Sequence, residues 1–231
     1  MPQKKYFRQP ALPDCNPLSD GCFDVPAGPA AMDWRQHFPD EALGEVKFVD
    51  LGCGFGGLLV KLGELYPGKC SLGMEIRDKV SAYVMERVKA LRAENPGRYR
   101  NIACLRTNSM KYFVNYFRKG QLEKIFIMFP DPHFKTKNHV RRIVSINLLT
   151  EYAFLLAPGG VVYTMTDVEE LGEWMRDKLE RHPWFEEYTE REYADDLVIP
   201  YLTETSEEGQ KVARNGGQTH MSVFRRRAAL R

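Results

Sequence analysis

The chain has 231 residues, of which 43% are hydrophobic and 28% are charged, and these values are ordinary for a folded globular protein of one or two domains. Its 33 basic and 31 acidic residues leave a net charge of only +2, so a polyanionic partner must be bound by local basic patches and not by overall charge. No apolar run approaches the ~20 residues of a membrane helix, and "MPQKKYFRQP" lacks the apolar core of a signal peptide. We therefore expect no membrane association and a location in the cytosol or nucleus.

The five cysteines are odd in number and include no C-x-x-C pair. This pattern matches neither a disulfide framework nor a zinc site, so we expect reduced thiols and no bound metal. The cysteines are Cys15, Cys22, Cys53, Cys70 and Cys104.

Residues 1–31 combine several prolines and glycines with few aliphatic residues, which predicts a flexible N-terminal arm before one domain over residues 32–231. From about residue 45, apolar strand-like runs alternate with helical periodicity. The predicted strands span residues 46–52, 70–76, 102–108, 123–129 and 161–167. The predicted helices span residues 56–67, 77–94, 109–117, 144–156 and 168–182, with a turn at 158–160.

Residues 198–227 show no clear helical periodicity, and we expect them to add antiparallel strands that include "HMSVFRRR". The alternation before them predicts an α/β fold with a doubly wound, mostly parallel sheet that is covered on both faces. Ligands of such sheets bind at the carboxyl ends of the strands.

A glycine-rich loop follows the first predicted strand in "VDLGCGFGG", where Gly52, Gly54, Gly56 and Gly57 lead into a helix. Closely spaced glycines let the backbone turn sharply and approach a ligand. The loop alone fits either a dinucleotide or S-adenosylmethionine. Asp50 favours the second, because a carboxylate there repels a pyrophosphate but suits a ligand with sulfonium and ammonium groups.

The next two strand ends carry candidate contacts for a nucleoside. Glu75, in "MEIR", can accept hydrogen bonds from both ribose hydroxyls, and an exposed acid at a strand end is the alternative. Asn108, in "TNSM", can present a donor and an acceptor to an adenine edge. The alternative is that Asn108 or Ser109 caps the following helix.

An acid stands between two prolines where the fourth predicted strand ends, in "FPDPHF". Proline fixes its own φ and pushes the preceding residue toward an extended conformation, so we expect Phe129 and Asp131 to be extended. Asp131 would then have a fixed direction. The alternative is a stiff turn with a solvated acid.

Basic side chains follow this motif, namely Lys135, Lys137, His139, Arg141 and Arg142. A solvated helix start is one interpretation, but the position beside the acid-bearing loop favours contacts with phosphates. Lys111, the "KKYFR" segment and residues 225–227 would extend this track. His133 is expected to support the loop and not to bind a metal.

Together, "DLGCGFGG", "MEIR", "FPDPHFKTKNHVRR", "TDVEEL", "TSEEG" and "RNGG" resemble the tRNA (guanine-N7)-methyltransferase family in its eukaryotic form, from about Met32 to Arg226. The resemblance implies a Rossmann-like class I methyltransferase fold with seven strands, the C-terminal one antiparallel, and S-adenosylmethionine as the methyl donor. It implies a guanosine in the tRNA variable loop as the substrate. A WD-repeat non-catalytic subunit is implied as well, and we expect a nuclear location with an additional cytoplasmic one.

The resemblance also implies roles for single residues. Cofactor contacts are implied at Gly52, Gly54, Glu75, Arg77, Asn108, Ser109 and Met128, and an active-site role is implied for Asp131. Thr205, Ser206, Glu207 and Glu208 match the T-x-x-E region of the family, where a one-residue ambiguity leaves open which acid has the main role.

Methyl transfer to guanine N7 is an in-line displacement by a lone pair that carries no proton, so positioning is expected to dominate over general base catalysis. The product purine is cationic, and a carboxylate that accepts from guanine N1–H and N2–H₂ would orient the base and stabilise that charge. Asp131 has this chemistry. Asp167 and Glu208 are candidate second carboxylates, and capping of the next helix is the alternative for Asp167.

Three other functions compete with this hypothesis. The first is a methyltransferase for another RNA purine or for a small molecule. An enzyme for a small molecule has no need of the basic stretch beside its active loop. An NAD-binding oxidoreductase needs a loop that accepts phosphate, which Asp50 opposes. A non-catalytic subunit of an RNA complex would show no turnover even with tRNA and the partner present.

Overall fold

The apolar runs of the sequence form the central strands of the computed structural model, which describes residues 23–39 and 44–229. The strands are β1 (Val46–Leu51), β2 (Cys70–Glu75), β3 (Ile102–Arg106), β4 (Leu122–Met128), β5 (Leu156–Thr166), β6 (Phe185–Glu187) and β7 (His220–Arg226). The α-helices are α1 (Gly57–Leu65), α2 (Asp78–Glu94), α3 (Ser109–Tyr112), α4 (Ile146–Leu155), α5 (Glu169–Arg181), α6 (Glu190–Tyr193), α7 (Leu202–Thr205) and α8 (Glu207–Arg214).

The strands form one seven-stranded sheet in the order β3-β2-β1-β4-β5-β7-β6. β1 to β5 are parallel, and β7 runs antiparallel between β5 and β6. The predicted fold class is thereby confirmed. The strand order reverses between β1 and β4, so their carboxyl ends flank the crevice where doubly wound sheets bind ligands.

Side chains of the sheet alternate between two buried layers. Ile125 and Ile127 of β4 pack in one core cluster with residues of α4 and α5, whereas Phe126 and Met128 pack in another with residues of α1 and β7. This alternation is the consequence of the two-residue period of a strand covered on both faces. A rigid sheet therefore supports the strand ends that carry the candidate site.

The prediction for residues 198–227 is only partly right. The antiparallel strand β7 is confirmed, but α7 and α8 precede it, and β6 was not predicted. α8 buries Gly209 and Val212, and a glycine gives no apolar signal, so a helix this short shows no readable periodicity. Ser206 begins it by accepting a hydrogen bond from the Gly209 N–H at 2.9 Å.

The predicted turn at residues 158–160 is an irregularity inside β5. Leu122 pairs with Leu156 and Lys124 pairs with Val161, so the strand bulges between these positions, and Gly159 has φ +82°. A bulge of this kind absorbs extra residues without ending the strand.

Residues 1–22 of the predicted arm lie outside the described residues. Phe23 packs edge-on against Tyr112 with ring centroids 6.1 Å apart, and Asn115 donates to the Pro26 carbonyl at 3.0 Å. The part of the chain between residues 23 and 31 therefore contacts the domain near α3. Within the described ranges, every helix is too short or too polar to cross a membrane.

Candidate active site

A cavity of about 730 Å³ lies where the sequence predicts a ligand, at the carboxyl ends of β1, β2, β4 and β5. This volume is within the usual range of small-molecule sites. The predicted residues that line it are Asp50, Gly52, Gly54, Glu75, Arg77, Met128, Asp131, His133, Arg141, Asp167, Ser206 and Glu208.

The glycine loop has the backbone geometry that its sequence predicts. Gly52, Gly54 and Gly56 have φ values of +76°, +53° and +77°, in the left-handed region that side chains strongly disfavour. The Gly52 and Cys53 N–H groups both donate to the Met74 carbonyl of β2, at 2.8 and 3.1 Å. The loop is thus fixed to the sheet while its open side faces the cavity.

Asp50 is buried at the end of β1 and is only 2% exposed. Burial, and secondly the negative charge of Glu75, raise the pKa of Asp50 to about 7. A cationic group in the cavity would relieve the cost of the buried negative charge. The site is therefore electrostatically matched to a ligand with an ammonium group and mismatched to a phosphate.

Glu75 is also buried, and both of its carboxylate oxygens already accept hydrogen bonds. One oxygen accepts from the Arg77 N–H and Nε at 2.9 and 3.0 Å, and the other accepts from the Gly54 N–H and Arg77 Nη2 at 3.1 and 2.9 Å. The Arg77 side chain is 61% exposed, so it can move away without desolvation. Recognition of a ribose diol by Glu75 requires that movement.

The predicted adenine contacts lie beside the cavity and do not form its wall. Asn108 is the N-cap residue of α3, but its side chain makes no capping hydrogen bond. Ser109 is the first residue of the helix. The next residue, Met110, lines the cavity instead. Lys111 lies one residue further along α3 and is exposed.

The acid-bearing loop directs Asp131 toward the cavity, but not in the way that the prolines predict. Phe129 has φ +50° and His133 has φ +47°, so the expected extended conformation of Phe129 is wrong. Such backbone geometry in bulky residues costs on the order of 1–3 kcal/mol each and persists only where surrounding contacts impose it. The Phe129 N–H donates to the Met165 carbonyl at 2.7 Å, which fixes the start of the loop to β5.

Asp131 itself is accessible. Its side chain is 72% exposed, and one carboxylate oxygen accepts from the His133 N–H at 3.0 Å. Asp167 and Glu208 line the same cavity as Asp131. Helix α5 is capped by Val168, whose N–H donates to Thr166 Oγ1 at 3.1 Å, so the structure does not show Asp167 as the capping residue.

The segment with α7 and α8 covers the glycine loop. A Cβ atom at Gly57 would overlap the Thr205 carbonyl oxygen, so this close approach requires glycine at the first residue of α1. Ser206 and Glu208 line the cavity from this segment, whereas the Thr205 hydroxyl donates to the Tyr201 carbonyl at 2.8 Å. Glu207 begins α8, and the predicted role of its side chain stays a prediction.

The basic segment, defined as residues 135–142, forms a 3₁₀-helix over Thr136–Arg141. Lys135, Lys137 and Arg141 are exposed, as a phosphate track requires. Arg142 differs from them, because its side chain is 1% exposed and paired with Glu170. The predicted phosphate contact of Arg142 would require this ion pair to open, since a buried and paired guanidinium is not accessible to RNA.

Four further predicted members of the track, His139 and the three arginines at residues 225–227, are less exposed than expected. His139 is half-buried with its ring 5.3 Å from the ring of Trp174. The arginines at residues 225–227 pair with Glu186 or with backbone carbonyls on the sheet edge. The exposed charge beside the cavity thus comes mainly from Lys135, Lys137 and Arg141 in this region.

Several aromatic and apolar residues of the cavity wall have no role predicted from the sequence. Phe134 is the most prominent, because it lines the cavity and yet is 74% exposed. The sequence shows an aromatic residue beside a basic segment, a combination that is typical of base stacking in nucleic-acid sites. Phe55, Ile143 and Val168 also line the cavity and gave no such signal, since their position depends on loop packing.

The strand order, the glycine loop and the buried carboxylates at the switch point define a Rossmann-like, class I methyltransferase fold. Residues 44–222 match the model of a family described as putative methyltransferase. The chain is 54% identical over 239 residues to a tRNA (guanine-N(7)-)-methyltransferase of Oryza sativa subsp. indica, covering 98% of this chain and 92% of the relative. It is 53% identical to that of Danio rerio, covering 98% and 96%. The chain belongs to the tRNA (guanine-N(7)-)-methyltransferase family.

Solved structures support the fold alone. The 16S rRNA methyltransferase KamB is 16% identical with a TM-score of 0.51, covering 79% of this chain and 87% of that one. The [4+2]-cyclase SpnF is 11% identical with a TM-score of 0.50, covering 90% and 87%. Because their names include a methyltransferase and a cyclase, the fold by itself does not assign the reaction.

Proposed function

We propose that this chain transfers a methyl group from S-adenosylmethionine to N7 of a guanosine in the variable loop of tRNA. The observation that carries the proposal is one cavity that joins the glycine loop and buried Asp50 to the exposed carboxylate of Asp131. Family membership supplies the substrate class, since the relatives are named tRNA (guanine-N(7)-)-methyltransferases.

The cofactor half of the cavity fits S-adenosylmethionine. The positive-φ glycines leave room for close backbone contact, and Asp50 and Glu75 place two carboxylates in the same wall. We assign Asp50 to the electrostatic stabilisation of the cationic ligand and Glu75, after Arg77 moves, to the ribose hydroxyls. When bound, S-adenosylmethionine supplies an electrophilic methyl group on a sulfonium.

The residues of the substrate half hold the guanine. Its N7 lone pair forms the new N–C bond as the C–S bond breaks, and the electron pair of that bond leaves with sulfur. No proton leaves N7, so the chain needs to provide orientation and charge stabilisation and not a base. Asp131 accepts from guanine N1–H and N2–H₂ in this scheme. Asp167 and Glu208, in the same wall, are candidate second carboxylates.

Exposed cations near this half would position the RNA. Lys135, Lys137 and Arg141 lie within ten residues of Asp131, and phosphate contacts position an RNA without reading its sequence. We further propose a WD-repeat protein as a non-catalytic subunit and a nuclear location. Both rest on the resemblance of the chain to the eukaryotic form of the family.

The proposal is tested by labelled methyl transfer to a tRNA transcript, with and without a WD-repeat protein, followed by borohydride and aniline cleavage at 7-methylguanosine. Cleavage in the variable loop is expected, and a transcript with adenosine at that guanosine serves as the matched control. Methylation of both transcripts at another guanosine would refute the variable-loop assignment, and no methylation of either would refute the activity. Co-purification of the two subunits and imaging of a tagged chain test the partner and the location.

A further inference from the structure

Arg142 is the most enclosed large polar side chain near the cavity, and its guanidinium has three directed hydrogen bonds. Nη1 and Nη2 donate to the two carboxylate oxygens of Glu170 on α5, at 2.9 and 2.7 Å. Nε donates to the Pro132 carbonyl at 3.0 Å. The fork geometry of a guanidinium fixes all three partners relative to one another, which a lysine ammonium does not do.

A rigid platform supports this guanidinium. It lies 4.7 Å from the centroid of the Trp174 ring, and Trp174 Nε1 donates to the Val144 carbonyl at 2.9 Å. Trp174 and Glu170 are both on α5, four residues apart and therefore on one face of the helix. Arg142 thus connects the acid-bearing loop to a long helix that packs on the sheet.

A single peptide group, between Pro132 and His133, links Arg142 to Asp131. The Pro132 carbonyl that accepts from Arg142 belongs to the same planar unit as the His133 N–H, which donates to the Asp131 carboxylate at 3.0 Å. A rotation of this peptide unit would break both hydrogen bonds together. Pro130 and Pro132 have no N–H group, so this loop has few backbone donors of its own to hold it.

We infer that Arg142 is a positioning residue for methyl transfer: through Glu170 and the Pro132–His133 peptide group, it fixes the direction of the Asp131 carboxylate. The inference rests on the proposed function of Asp131. It assigns a role different from the predicted phosphate contact, because a positioning residue affects the rate of the chemical step and a phosphate contact affects tRNA affinity.

Arg142→Lys tests this distinction. It keeps the charge and removes the fork, so we expect single-turnover methylation to slow about 10- to 100-fold while the tRNA Kd, its salt dependence and the Kd of S-adenosylhomocysteine stay unchanged. Hydrogen exchange of the His133 amide, measured by NMR, is expected to become several-fold faster. The matched control is Arg176→Lys, which makes the same change in an arginine of α5 that pairs with Glu187 at 2.8 Å, and no change is expected.

Glu170→Gln tests the same connection with Arg142 in place, in case Arg142→Lys does not fold. Glu170 is on the surface side of the pair, and a rate loss of about 3- to 10-fold with faster His133 exchange is expected. Unchanged rate and exchange in the folded variants would overturn the inference. A weaker tRNA Kd with a flatter salt dependence and an unchanged rate would overturn it too, in favour of phosphate binding. If wild-type protein makes no 7-methylguanosine, the proposed function fails, and the His133 exchange still decides the positioning role.

Discussion

At the residue scale, Asp131 combines an exposed carboxylate with a backbone fixed on both sides. One of its oxygens is held by the His133 N–H, which leaves the other available to a base. Two strained residues, Phe129 and His133, bracket the loop, and strain of this kind is common where a side chain must have one direction.

We expect Asp131→Asn to slow single-turnover methylation of tRNA by about 10²- to 10³-fold, since loss of one group aimed at the developing charge has effects of that size. Asparagine retains the shape but cannot balance the charge of a cationic purine, and it has one acceptor oxygen in place of two. Calorimetric titration with S-adenosylhomocysteine should give an unchanged Kd. Asp177→Asn on α5 is the control, and equal rates in both variants would exclude the proposed role of Asp131.

The raised pKa of Asp50 predicts that the affinity for the cofactor depends on pH. Its folded-state pKa, about 7, lies above the ordinary value of 3.8, so below pH 7 a cationic ligand must displace a proton to bind. The affinity for S-adenosylhomocysteine should fall by up to about tenfold per pH unit below pH 7. Asp50→Asn should remove this dependence, and a pH-independent affinity in the unsubstituted protein would contradict the assignment.

In the absence of ligand, the raised pKa of Asp50 affects the stability of the folded protein in the opposite direction. A group whose pKa is raised in the folded state binds its proton more readily there, so Asp50 destabilises the folded protein above pH 7 and ceases to do so as pH falls toward 4. Stability without ligand and affinity for the ligand therefore respond to Asp50 in opposite directions.

At the element scale, the site depends on contact between two segments that are far apart in the chain. The N-terminus of α1 and the C-terminus of α7 meet at Gly57 and the Thr205 carbonyl, with no space for a side chain. Ser206 and Glu208, which follow Thr205 closely in the chain, line the cavity.

Gly57→Ala is expected to displace the segment of α7 and α8 and to weaken binding of S-adenosylhomocysteine by about tenfold, as overpacking by one methyl group costs on the order of 1–3 kcal/mol. Faster hydrogen exchange over residues 202–214 should accompany it. Gly68→Ala is the matched control, because the space around Gly68 is open. Equal exchange in both variants would show that the contact is not needed.

The exposed lysines of the basic segment predict the salt dependence of tRNA binding. Lys135→Glu combined with Lys137→Glu should lower the slope of log Kd against log salt by about 1–2, since each lost phosphate contact contributes slightly less than one. Binding of S-adenosylhomocysteine should be unaffected. Lys89→Glu with Lys119→Glu makes the same charge change away from the cavity, and a slope equal to that of this control would exclude the segment from RNA binding.

At the scale of the whole molecule, a buried polar network joins the sheet to the chain that leads into α7. Asp196 accepts hydrogen bonds from Lys124 of β4, Tyr163 of β5 and Tyr66 at the end of α1. Burial acts to raise the pKa of Asp196, but these donors outweigh it and the pKa is lowered. Its contribution to stability is therefore present above the ordinary pKa of 3.8 and is lost as pH falls through the folded-state value.

Asp196→Ala should lower the free energy of unfolding by about 3 kcal/mol, because it leaves a largely buried lysine without its ionic partner. Urea denaturation followed by circular dichroism measures this loss. Tyr66→Phe removes one hydrogen bond of the same network and should cost only about 1 kcal/mol. Similar values for the two variants would mean that the ion pair adds little beyond its hydrogen bonds.

The alternation of β1 to β5 with helices was predictable from the sequence alone, because strands that are buried on both faces of a parallel sheet have near-continuous apolar runs. The positions of the glycine loop, Asp50, Glu75 and Asp131 at one cavity were predictable as well. Each of them lies at the end of a strand, and the carboxyl ends of parallel strands meet at one edge of a sheet. These features depend on neighbours within a few residues.

Three features were visible only in the folded chain: Arg142 is buried, Phe129 adopts a positive φ, and α7 packs against Gly57. Each of these depends on a partner far along the chain: Glu170 for Arg142, Met165 for Phe129 and Thr205 for Gly57. The sequence around a basic residue looks the same whether the side chain pairs with a distant carboxylate or with a phosphate. Its role is set by desolvation and by pairing, and both arise only when the chain has folded.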